Sequence, residues 1–231
     1  MLAHRESYRT VRYEPRRYND EELRTFRSRV RTVHDVLRIE VGESHRVWHA
    51  DQLAFHYEMA RDRLGEAPRV LDVACGDGFG CRLMAPRATE VVGVDLDPET
   101  IRAATTLPIP RAVRYQIGDV TQLQFPDAYF DAVTSMETLE HVSPEPTLRE
   151  LVRVLKPGGK LMVSTPQNRL GHIPVNAAHV HEFSVEELKR TIQPFAAVEE
   201  VVGIKAGRIV FRDDPIGANT FLVARKRASA A

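Results

Sequence analysis

The stretch Val70-Leu71-Asp72-Val73-Ala74-Cys75-Gly76-Asp77-Gly78-Phe79-Gly80 constrains this chain more than any other. A short apolar run ends in an acid, passes through small residues and leads into a helical segment. Such a run, bounded by glycine, reads as a buried strand. Gly76 and Gly78 let the backbone turn sharply and leave room for a ligand to approach the main chain. In a doubly wound sheet, ligands bind outside the carboxyl ends of the strands, where this loop would lie.

The pattern continues downstream. Arg69–Val73, Glu90–Asp95, Val113–Gly118, Phe130–Ser135 and Lys160–Thr165 read as buried strands. Helical segments fit after Gly78, after Pro98 and from about Pro144 to Leu155. This alternation predicts a parallel sheet with crossover helices on both faces. After a helix near Val185–Ile192, the tail offers two strands, Ala196–Val202 and Asn219–Ala224. The loop between them contains Gly207, Asp213, Asp214, Pro215 and Gly217 and no helix, which predicts antiparallel pairing at the end of the sheet.

Residues 1–66 differ from the rest and are expected to form a helical lid, substrate or dimer segment, with the ligand-binding domain in 67–231. A helix begins at Asp20, with Asn19 or Asp20 as N-cap. Leu23, Phe26, Val30, Val33 and Leu37 share one of its faces, so the stripe permits a homodimer. A second helix is predicted over Ala50 to Leu64.

Two details narrow the ligand. The dinucleotide spacing G-x-G-x-x-G fails, because the third position after Gly76 and Gly78 is Cys81. Asp72 and Asp77 would repel a pyrophosphate resting on the helix N-terminus. Carboxylates suit a ligand with an ammonium group and no phosphate, and S-adenosylmethionine (SAM) is such a ligand. Asp95, 23 residues beyond Asp72 and at the end of the next strand, is placed to take both ribose hydroxyls. Leu96 then offers an apolar edge to the adenine, and Asp119 an acceptor for its amino group.

From about residue 50 onward the chain resembles the class I SAM-dependent methyltransferases. The resemblance is carried by the D-x-A-x-G-x-G-x-G loop from Asp72 to Gly80 and by Gly93-Val94-Asp95. It extends over Gly118-Asp119-Val120, Phe125-Pro126-Asp127-Ala128-Tyr129-Phe130-Asp131 and Leu155-Lys156-Pro157-Gly158-Gly159. Ala74 stands where the family's first loop glycine would be. The resemblance implies a Rossmann-like α/β fold of seven strands in the order 3-2-1-4-5-7-6, strand 7 antiparallel, and SAM as cofactor. It places Asp72, Ala74, Gly76, Asp77, Gly78, Asp95, Leu96, Asp119, Val120 and Met136 around that cofactor.

Methyl transfer is an in-line displacement at a sulfonium carbon, so the protein mainly positions the nucleophile and, where needed, removes its proton. Candidates follow the fourth strand. Glu137, Glu140 and His141 are spaced i, i+3, i+4, which on a helical turn places them on one face. Glu140 and His141 are the catalytic candidates. The E-x-x-E-H pattern resembles that of ubiquinone-pathway O-methyltransferases and of small-RNA 2′-O-methyltransferases. The resemblance implies Mg2+ or another divalent metal on Glu137, Glu140 and His141, with His179 as a further ligand. Two other readings stand beside it: metal-free acid/base work, and the plain start of a helix with Ser143 as N-cap and Pro144 in first position. Ser164-Thr165-Pro166-Gln167-Asn168-Arg169 and the loop from Gly171 to His181 are expected to line the acceptor pocket, with Tyr8, Tyr13, Tyr18, His56 and Tyr57 covering it.

The favoured expectation is methylation of a small-molecule hydroxyl on a sugar, phenol or natural-product intermediate. An N-methyltransferase of small amines is the alternative, then an RNA 2′-O-methyltransferase, a non-catalytic SAM-binding subunit and a nicotinamide dehydrogenase. The 32 basic residues balance the 32 acidic ones, which argues against a nucleic-acid partner. No apolar run approaches the ~20 residues of a membrane span, and the N-terminus does not read as a secretory signal. Cys75 and Cys81 suit neither a disulfide framework nor a structural zinc site, and a cytoplasmic location is expected.

Overall fold

The computed structural model describes residues 53–66, 68–106, 108–168, 179–205, 209–210 and 214–228. The predicted helix from Asp20 with its stripe, Tyr8, Tyr13 and Tyr18, Arg169 and the loop residues up to 178, Gly207 and Asp213 lie outside them.

The apolar runs become a single sheet. β1 (Arg69–Val73) pairs in parallel with β2 (Glu90–Asp95) on one side and with β4 (Phe130–Met136) on the other. β2 pairs in parallel with β3 (Val113–Ile117), and β4 with β5 (Leu155–Pro166). β6 (Ala197–Lys205) and β8 (Asn219–Arg225) are the predicted tail strands, and β8 lies antiparallel between β5 and β6. The order β3-β2-β1-β4-β5-β8-β6-β7 is therefore the expected 3-2-1-4-5-7-6 with one addition. The added strand is β7 (Ile209–Val210), two β-branched residues that pair antiparallel with Ile204 and Lys205 inside the stretch read as a plain loop.

Helices cover both faces. Among the described residues α1 covers 53–61, ending before the predicted Leu64, and α2 is Phe79–Met84. α3 (Pro98–Ala104) starts where the Asp97 side chain accepts from the Glu99 amide at 2.9 Å, with proline where no amide is needed. α4 (Pro144–Val154) begins after Ser143 as expected, although its side chain makes no cap; Thr147 Oγ1 instead donates to the Ser143 carbonyl at 2.9 Å. α5 (Val185–Ile192) is capped by Ser184, whose hydroxyl accepts from the Glu187 amide.

The core has two parts. On one face Leu148 and Leu151 of α4 and Leu188 and Ile192 of α5 pack on Leu71, Val133 and Leu161. On the other, Phe55, Met59 and Ala60 of α1 and Cys81 and Met84 of α2 pack on Val70, Met162 and Phe221. α1 thus belongs to the core of the sheet, although its residues precede the boundary drawn at 66. Cys75 and Cys81 are buried free thiols. Among the described residues no helix is long and apolar enough to cross a membrane.

The seat of α1 against α2 depends on Gly80, since a Cβ there would lie 2.1 Å from the Tyr57 ring. Gly80→Ala should cost about 1–3 kcal/mol by overpacking. In urea unfolding, the loss should shrink when Tyr57→Ala is introduced alongside. Equal losses in both backgrounds would show that Tyr57 does not set the requirement.

Candidate active site

The turn from β1 into α2 packs three left-handed residues into five: Ala74, Gly76 and Gly78 at φ 50°, 56° and 79°. Glycine adopts this region freely, whereas Ala74 carries a cost of roughly 1–2 kcal/mol. The Cys75 amide donates to the Val94 carbonyl, and the Gly78 amide to the Cys75 carbonyl, both at 3.0 Å. Gly78 meets a second demand: a Cβ would lie 2.3 Å from the hydroxyl oxygen of Tyr115, which donates to the Gly78 carbonyl at 3.1 Å. The Asp77 carboxylate accepts from the Phe79 amide at 3.1 Å, securing the first turn of α2.

Asp72, expected among the cofactor residues, is 0% exposed. Its carboxylate accepts from Thr134 Oγ1 at 2.7 Å, Tyr57 Oη at 3.2 Å and Cys81 Sγ at 3.4 Å. Three protein donors occupy it because α1 closes over the strand end, so the carboxylate supports the loop from within. Burial pushes its pKa up to about 7, against the opposing pull of these three hydrogen bonds. Burial also raises the Tyr57 phenol, which therefore stays a donor.

Asp95, expected to take the ribose hydroxyls, ends β2. Its Oδ2 accepts from the Gly76 amide and its Oδ1 from the Asp97 amide, each at 3.0 Å, so one half-buried carboxylate ties the first loop to the second. Each oxygen keeps further lone-pair capacity for a hydroxyl. Leu96 is 67% exposed, as an apolar edge awaiting a ring would be. Ile117, paired in register with Asp95, and Phe79 are exposed apolar neighbours of this rim that the sequence reading missed. Asp119 is exposed and accepts from both the amide and the hydroxyl of Thr121, which lower its pKa. Val120 and Met136 are buried.

At the exit of β4 the predicted quartet divides. Glu140, His141 and His179 come together, one ligand atom from each lying within 4.8 Å of the others. The rings of His141 and His179 meet edge to face, their centroids 4.9 Å apart. His179 Nδ1 and Glu182 Oε1 share a hydrogen bond at 2.8 Å, which orients the ring. Glu140 is 1% exposed and accepts from Thr165 Oγ1 at 3.0 Å. Burial first, then the Glu137 charge, hold its pKa well above the usual carboxylate range.

Glu137 departs from this group. The helical turn spans only Leu139–His141, and Glu137 precedes it with φ 51°, so the i, i+3, i+4 face does not include it. Its Oε1 accepts from Ser164 Oγ at 2.9 Å and its Oε2 from Asn219 Nδ2 at 2.8 Å. His56 Nδ1 lies 3.5 Å from Oε1. Ser164 and Thr165 were named in the acceptor loop and His56 and Tyr57 as covering residues, but no role was assigned to Asn219 or Glu182.

Residues 71–163 match the family described as "Methyltransferase domain". Over those residues the chain is similar to SAM-dependent methyltransferase domains. Over 145 residues it is 34% identical to a Mycolicibacterium smegmatis protein named a probable S-adenosylmethionine-dependent methyltransferase, covering 60% of this chain and 55% of that one. Over 114 residues it is 44% identical to a ubiquinone biosynthesis O-methyltransferase of Xanthomonas oryzae pv. oryzae, covering 47% of each. The chain thus spans about half the length of these curated relatives. The fold is shared with an S-adenosylmethionine-dependent methyltransferase of Mesorhizobium loti (TM-score 0.62, 20% identity, 74% of this chain and 98% of that one). It is also shared with a Pyrococcus horikoshii protein (TM-score 0.61, 20% identity, 91% and 100%).

The buried acid has a thermodynamic signature. With a folded-state pKa of about 7 against an unfolded value near 3.9, Asp72 binds its proton more tightly when folded. Its contribution to stability is present below about pH 4 and is lost as pH rises to about 7, on the order of 4 kcal/mol. Asp72→Asn should flatten the stability–pH profile in that window relative to the parent protein, as read by urea unfolding. Parallel profiles would show that the acid is not held this way.

Proposed function

We propose that this chain is a SAM-dependent O-methyltransferase acting on a hydroxyl of a small molecule, with a divalent cation held by Glu140, His141 and His179. The observation that carries the reading is the convergence of those three side chains at the β4 exit of a methyltransferase domain. The ubiquinone biosynthesis O-methyltransferases among its relatives support oxygen as the nucleophile. Balanced charge supports a small acceptor over RNA.

The donor set suits a cation. Glu140 is a buried carboxylate kept from ionising by its surroundings, and a positive ion is the neighbour that would reverse this. One carboxylate and two imidazoles favour Mn, Fe or Zn over Mg, which prefers all-oxygen surroundings. A cation there would lower the pKa of an acceptor hydroxyl and orient vicinal oxygens. Asp95 and the loop from Ala74 to Gly78 bind and orient the nucleoside, with Leu96, Ile117 and Phe79 sheltering its base. Asp72 keeps that loop in shape.

Glu140→Ala and His141→Ala should each abolish methylation of a catechol, a probe acceptor with two vicinal hydroxyls, while the Kd for S-adenosylhomocysteine changes by less than about threefold. Full activity of these variants, or of protein stripped by chelator, removes the cation from the reading and favours transfer to an amine. In thermal melts S-adenosylhomocysteine should raise Tm and NAD should not; the reverse would overturn the cofactor.

A further inference from the structure

His56 is 2% exposed, stands on α1, and is the residue next to the Tyr57 that caps Asp72. Its Nδ1 lies 2.9 Å from Ser164 Oγ. The Ser164 hydroxyl donates its one proton to Glu137 Oε1, so toward His56 that oxygen can only accept. Nδ1 must then carry the ring proton, and Nε2 is left as a bare lone pair. Nε2 is buried and has no hydrogen-bond partner among the described residues.

An orphaned buried polar atom costs about 1–3 kcal/mol and calls for a partner outside the fold. Its place points to one. Ser164 pairs in register with Met136, the residue before Glu137, at the carboxyl ends of adjacent strands where a ligand of this sheet would bind. Glu137 holds a left-handed backbone that residues other than glycine, asparagine and aspartate rarely adopt, and Asn219 of β8 fixes its second oxygen. Four separate elements thus converge to set one imidazole in one tautomer, with a carboxylate 3.5 Å away to stabilise it once protonated.

We propose that His56 is the general base of methyl transfer, with Ser164 and Glu137 as its positioning residues. The inference rests on the O-methyltransferase reading. As the acceptor's O–H bond breaks, its proton passes to His56 Nε2 and the oxygen's electron pair forms the new C–O bond. The C–S bond of SAM breaks with its pair on sulfur, leaving a neutral thioether and an imidazolium facing Glu137. The neighbouring Glu140, His141 and His179 orient the oxygen and do not take the proton.

Two measurements on the full chain test this. The first needs no acceptor. In protein carrying isotope-labelled histidine, nitrogen-detected NMR at neutral pH should find His56 protonated on Nδ1 and bare on Nε2, and Ser164→Ala or Glu137→Gln should release that preference. A proton on Nε2 overturns the proposal. The second uses the catechol. His56→Gln should lower kcat about 100-fold or more, keep S-adenosylhomocysteine binding and abolish the acid limb of the kcat–pH profile, and added imidazole should restore turnover to His56→Ala. Retention of kcat or of the acid limb overturns the proposal. Should His56→Gln fail to fold, Ser164→Ala serves in its place, with a lowered kcat expected alongside the released tautomer. If the parent protein binds S-adenosylhomocysteine yet methylates no catechol, the acceptor reading has failed, and the NMR result alone decides for or against His56.

Discussion

The buried carboxylate of Asp72 is the point through which the rest of the site is held. A charge removed from water is costly unless it is hydrogen-bonded, and here the donors come from three different elements: Tyr57 of α1, Cys81 of α2 and Thr134 of β4. Satisfying one acid therefore registers two helices and a neighbouring strand against β1. The left-handed turn at Ala74, Gly76 and Gly78 follows directly from that strand end, and Asp95 then ties the turn to β2. A loop able to receive a nucleoside is the by-product of an acid that has to be covered.

The same cover fixes the acceptor side. Tyr57 and His56 are consecutive on α1, one bound to Asp72 of β1 and the other to Ser164 of β5. β1, β4 and β5 are adjacent in the sheet, so two neighbouring side chains bridge across β4 and straddle its exit. A shift of α1 by one residue would lose both contacts. Gly80, which leaves room for the Tyr57 ring, and Gly78, which leaves room for Tyr115, keep that fit possible from opposite sides of α2's start.

Strand order, the antiparallel tail, the glycine loop and the acid that ends β2 were legible in the sequence because each rests on local signals: short apolar runs, glycines at fixed offsets and an acid at a strand end. What was not legible depended on backbone conformation and on partners distant in the chain. The spacing of Glu137, Glu140 and His141 suggested one helical face, but the turn begins only at Leu139, and a residue at φ 51° points its side chain by different rules. That α1 covers Asp72 was not legible, because sequence shows the acid and not the helix that closes over it. Only the meeting of β8 with β5, and of the His179 segment with the β4 exit, gives Asn219 and Glu182 their places.

The two acids at the β4 exit show how one short segment separates two tasks. Glu137 and Glu140 are close enough for the first to raise the pKa of the second, so they cannot share an environment at low cost. The fold resolves this by giving Glu137 donors on both oxygens, from Ser164 and Asn219, with an imidazole beside it. Glu140 is instead buried, with its own amide and the Thr165 hydroxyl as donors and two histidines beside it, and burial outweighs those donors in raising its pKa. Glu137, held from both sides beside one imidazole, and Glu140, buried beside two, thus stand in different surroundings. The positive φ at Glu137 sets it apart from the Leu139–His141 turn that carries Glu140, and so keeps the two acids in separate settings.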